Sequence, residues 1–88
     1  MKKPMNEVLK EATEQYGVKV QGTQGVQQEL LKPEKVVIVH YYKNNSAWYI
    51  AIRSIEQLDG ILRDLKRNGH PTDVTYFSVP SDYIPAVS

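Results

Sequence analysis

Residues 36–54, VVIVHYYKNNSAWYIAIRS, set the tightest limit on what this chain can become. Two runs of β-branched and aromatic residues flank the polar cluster Asn44-Asn45-Ser46-Ala47. Such side chains suit a pleated, half-buried surface, and asparagine tolerates turn backbone, so residues 35–43 and 48–53 are expected to pair as a hairpin. A loop with an even number of residues puts Val37, Val39 and Tyr41 on one face with Trp48, Ile50 and Ile52, an apolar set fit to pack beneath a helix. His40, Tyr42, Tyr49 and Arg53 then occupy the other, open face, with Tyr42 directly opposite Tyr49. A loop of odd length flips one strand and brings His40 and Tyr42 onto the Trp48 face. The even register is preferred.

Two stretches carry helical periodicity. In residues 5–16, Met5, Val8, Leu9, Ala12 and Tyr16 recur at spacings of three and four, and Gly17 follows where a left-handed cap is wanted. Ser54 stands as an N-cap with Gln57 at the capping-box spacing, ahead of a stripe of Ile55, Leu58, Ile61, Leu62 and Leu65. Lys66 and Arg67 suit the negative end of that helix, and Gly69 with Pro71 stops it. Gly60 inside it costs about 1 kcal/mol relative to Ala, marking either close approach of another backbone or a tolerated defect. Between the helices, Val18 and Val20 alternate as in a short strand, whereas residues 26–31 fit a strand or a single helical turn. Residues 73–79 alternate again as a last strand, and the two prolines of PSDYIPAVS make an irregular tail from about residue 80.

At 88 residues the chain is expected to form one domain, residues 1–88, with a small core that leaves room for self-association. Leu, Ile, Val and Phe supply 23 residues, about a quarter of the chain and above the level at which chains stay disordered. The absence of cysteine excludes disulfides, zinc thiolates, iron–sulfur clusters and thiol nucleophiles, and fits a reducing cytoplasm. Met1-Lys2-Lys3-Pro4 precedes no apolar run of signal-peptide length, so neither secretion nor membrane insertion is expected. A formal charge of +1 advertises no nucleic acid.

Candidate binding residues fall into two groups. Tyrosines, histidine and arginine on one sheet face, His40, Tyr42, Tyr49 and Arg53, have the chemistry to stack bases and contact phosphate, or to form a protein-contact surface. The plainer reading is a cross-strand aromatic pair that steadies the sheet. Arg63, Lys66 and Arg67, at i, i+3 and i+4, project from one helix face toward phosphates or an acidic partner, or simply toward water. His40 with tyrosine and arginine also suggests acid–base cleavage of RNA, a ribonuclease-like activity, but no acidic residue lies near His40 to orient it. His70 in NGHP reads as an exposed turn residue. No dinucleotide fingerprint, phosphate loop, HExxH or dense carboxylate cluster is present, so neither catalytic residues, metal nor cofactor is expected.

The order helix, strand region, hairpin, helix, strand implies an α+β fold: a small two-layer sandwich, mainly antiparallel, with two helices on one face. Its first part resembles double-stranded RNA-binding domains in element order alone, without their basic and loop motifs, and the final strand departs from them. The expected function is a non-enzymatic interaction module, of the kind found among bacterial or phage accessory proteins, binding another protein through its sheet face or edge. The alternative is a nucleic-acid-binding module that uses the Tyr/Arg face and the basic helix cluster.

Overall fold

A computed structural model describes residues 3–84. Its elements are α1 (Met5–Tyr16), β1 (Val18–Val20), α2 (Gly22–Leu30), β2 (Lys35–Lys43), β3 (Ser46–Ile52), α3 (Ile55–Arg67) and β4 (Thr75–Pro80), with short 3-10 turns at Pro71–Asp73 and Ser81–Tyr83. The strands form one antiparallel sheet in the order β1-β4-β2-β3. The chain is thus a small α+β sandwich on a four-stranded antiparallel sheet.

Alternation along β2 decides how the helices are distributed. Val36 and Ile38 face one way while Val37 and Val39 face the other, and all four are buried. A strand apolar on both faces must be covered on both. Leu9 and Ala12 of α1 pack on Val36, Ile38 and Val79. Val26 of α2 and Leu58 of α3 pack on Val37, Val39 and Ile52 of the opposite face. Two helices do share a face, but they are α2 and α3; the helix over residues 5–16 covers the other side. The face carrying His40, Tyr42 and Tyr49 is therefore not the open surface expected from the sequence.

Residues 22–30 form a helix rather than a strand or a single turn. Glycines and glutamines make its propensity poor, and its stability comes from burying Val26 completely beneath the sheet. Gly17 does not adopt the left-handed cap either. Its φ of −71° and ψ of 133° lead straight into β1, and glycine is required because a Cβ would press into the Thr13 carbonyl oxygen.

The α3 boundaries follow the sequence. Ser54 Oγ accepts from the Gln57 amide, and Gln57 Oε1 accepts from the Arg53 amide. At the other end Gly69, at φ +82°, donates to Lys66 and His70 donates to Leu65, a Schellman closure. No Cβ clash exists at Gly60, where nothing among the described residues lies within 4 Å of the added atom, so of the two readings the close backbone approach is not made among them.

The segment from about residue 80 is more ordered than expected. The Ser81 amide donates to the Glu34 carbonyl, Tyr83 stacks on Tyr16 at 3.9 Å, and Ile84 is buried with the α1 core. The apolar Ile84 gains more from that core than from water. The remainder of the expected tail, 85–88, lies outside the described residues.

Candidate binding cleft

The hairpin turn is shorter than the sequence suggested. Asn44 and Asn45 alone make it, with φ of 54° and 64°, the consecutive left-handed pair that matches strand twist in two-residue hairpins. Ser46 and Ala47 join β3, and the pairing shifts by two residues. His40 lies opposite Tyr49, Tyr41 opposite Trp48, and Tyr42 opposite Ala47 rather than Tyr49. A shift of two leaves every side chain on its expected face. It sets Trp48 opposite Tyr41, two pairs from the turn, where the residue remains 43% exposed instead of entering the core.

Tyr41, directly opposite Trp48, lines a cleft of about 290 Å3 between α3 and the sheet. Tyr41, Ile50, Ile61 and Leu65 give it apolar surface, and Lys43, Asp64, Asn68 and His70 its polar groups. Ile61, Asp64, Leu65 and Asn68 recur at three and four residues, so one stripe of α3 forms the wall. Burial pushes the Tyr41 phenol up, which keeps its hydroxyl neutral and able both to donate and to accept. The paired signs of Lys43 and Asp64 leave the cleft without a strong field. Such a site suits an uncharged, largely apolar group.

The residues singled out from the sequence do not form one surface. His40 stacks on Tyr49 at 4.5 Å with 4° between the rings, and Tyr42 and Phe77 lie at 5.0 and 6.3 Å. His40 Nε2 is buried with no hydrogen-bond partner, and desolvation holds the imidazole below its ordinary range. Burial first, then the Glu14 and Tyr42 charges, raises the Tyr49 phenol. These three rings act as a cross-strand stack at the border of α1, and Tyr42 alone is largely exposed.

Arg53 leaves that group because β3 ends at Ile52. It lines a separate groove with Gln27, Leu30, Leu31, Ser54 and Ile55. Arg63, Lys66 and Arg67 are exposed on α3, turned by helical geometry away from the Ile61 and Leu65 stripe. The aromatic stack and these cations lie on opposite sides of the sheet. A single nucleic-acid footprint joining them has no geometric basis.

Both sheet edges are blunted. Along β3, Asn6 of α1 accepts from the Tyr49 amide at 2.7 Å and donates to the Ala47 carbonyl at 3.3 Å, while Gln57 occupies the Arg53 amide. At the other edge β1 has three residues, and hydrogen-bond alternation across β4 directs only the Lys19 amide and carbonyl outward. Short or side-chain-capped edges resist pairing with another strand. Sequence reasoning missed Asn6, Tyr41, Ile50, Ile61 and Leu65 as surface-shaping residues. The available signal was the α3 stripe, of which Leu58 and Leu65 alone are buried.

No protein-family model matches the chain, and no curated protein or solved structure matches it.

Proposed function

We propose that this chain is a small non-enzymatic interaction module that binds another protein at the cleft beside Trp48. The observation that carries the reading is a 43% exposed tryptophan set directly opposite Tyr41, on the face where that cleft opens. Partly exposed aromatic rings next to an apolar pocket are the usual anchors of protein contacts, because a partner side chain can desolvate both at once. A volume near 290 Å3 suits one or two such side chains rather than a large ligand. The balanced Lys43 and Asp64 favour a neutral apolar segment of the partner over a phosphate backbone. With both edges blunted, binding through the face at the hairpin end is favoured over strand addition. No helix among the described residues is long and apolar enough to cross a membrane. The cysteine-free composition supports a cytoplasmic setting for this function.

The test is co-purification from native cells with wild type, Trp48→Ala and Tyr42→Ala, each checked for an unchanged unfolding midpoint. A partner kept by wild type and Tyr42→Ala but lost by Trp48→Ala supports the cleft. Equal retention by Trp48→Ala, or retention of oligonucleotides with a steep salt dependence, overturns it.

A further inference from the structure

β3 lies at an edge of the sheet, yet its own sequence, SAWYIAI, holds no charge, proline or glycine. Runs of this kind pair with copies of themselves when their edge is open. The two-residue turn makes Lys43 and Ser46 a hydrogen-bonded pair, so alternation turns the amides and carbonyls of Ala47, Tyr49 and Ala51 away from β2. Side-chain amides close the two ends of that row. Asn6 accepts from the Tyr49 amide and donates to the Ala47 carbonyl, the two bonds that one residue of an added parallel strand would make, and Gln57 takes the Arg53 amide. Protection of β3 therefore rests on residues outside the strand, and on Asn6 above all.

Asn6 belongs to the least anchored part of α1. The buried residues of that helix are Leu9, Ala12 and Thr13, and none of residues 5–8 is buried. Pro4 stands at the N-cap without a side-chain cap, and the Lys3–Glu11 ion pair that straps this end is exposed to water on both sides. Leu9 and Ala12 sit on Val36, Ile38 and Val79 of β2 and β4, inward of the edge strand. The first turn can thus open while the body of the helix stays docked.

We propose that Asn6 is an autoinhibitory contact, which holds the β3 edge shut against the β3 of a second copy until the first turn of α1 opens. Antiparallel pairing of two β3 strands about a twofold axis at Tyr49 is self-complementary. The two Tyr49 residues exchange amide and carbonyl bonds, and Ala47 does so with Ala51 of the second copy. No like charges meet, because the strand has none. Trp48 then lies across from Ile50 of the second copy, on the sheet face away from α1, and its exposed ring gains an apolar neighbour.

The experiment compares the intact chain with Asn6→Ala by sedimentation over a wide concentration range and by amide hydrogen exchange. Asn6→Ala should self-associate at least about tenfold more tightly than wild type. Isotope-filtered NMR of the associated form should show the Trp48 Hα of one copy close to the Ile50 Hα of the other, a contact that this register alone creates. Adding Ala47→Pro, which removes an outward amide where an edge strand tolerates proline, should restore the monomer. In wild type the Tyr49 amide should exchange through a local opening, well before the Trp48 and Ile50 amides bonded to β2. A folded Asn6→Ala that stays monomeric overturns the proposal, as does association that survives Ala47→Pro or lacks the Trp48–Ile50 contact. Should Asn6→Ala fail to fold, the wild-type exchange decides: a Tyr49 amide released only with global unfolding overturns it.

Discussion

Gly60→Ala should stabilise the protein, because the structure reduces this substitution to a single effect. Gly60 lies inside the thirteen-residue α3, its backbone is not in the left-handed region, and a Cβ would meet nothing within 4 Å. The added methyl therefore neither clashes nor packs. What remains is the backbone freedom that glycine loses on folding, about 0.8–1.0 kcal/mol relative to alanine within a helix. For a domain of this size about 1 kcal/mol corresponds to a rise in melting temperature of about 4–8 °C. Thermal and urea unfolding followed by circular dichroism, at two protein concentrations, measure it. A lowered midpoint would refute the reasoning. If the loss grows with concentration, a second copy of the chain packs against Gly60, and self-association rather than helix propensity governs the site.

Leu58→Ala should cost about 2–5 kcal/mol, since Leu58 is fully buried between α2 and the sheet, while Leu62→Ala should cost less because that side chain is only partly covered; denaturation midpoints of the two variants give the order. Gly17→Ala should destabilise despite lying outside any turn of positive φ, because its Cβ would press on the Thr13 carbonyl, and a midpoint equal to wild type would show that α1 shifts freely. The His40 imidazole, depressed by burial, favours the folded state in its neutral form. That contribution is complete above the unfolded value near 6.5 and is lost as pH falls through the lower folded value, so stability should decline with acid below about pH 6.5. His40→Phe should flatten this part of the stability profile; a profile identical to wild type would show that the ring is hydrated.

Much of the secondary structure was written locally. The alternation in residues 35–52 was enough to assign every strand side chain to its face, because the side-chain period of two survives a register shift of two. Ser54, Gln57 and Gly69 were enough to bound α3, because capping hydrogen bonds connect residues a few positions apart. The run Val36 to Val39 also held the sign that both sheet faces are covered, since every position in it is apolar.

Other features had no local cause. Two left-handed asparagines close the hairpin without help, so Ser46 and Ala47 join the strand, and Trp48, expected in the core, stays 43% exposed opposite Tyr41. The α2 helix exists because the sheet offers Val26 a place to be buried, and Gly25, a poor helix former, lets the helix approach Val20. His40, Tyr49 and Arg53 fall on one face by hairpin alternation, yet the chain leaves the strand at Ile52 and carries Arg53 to another surface. Residue order determines which side chains a helix or strand presents, through dihedral preference and periodicity. The angle and reach of packed layers determine which of them stay in water, because burial is a property of what lies opposite, and that partner is distant in sequence.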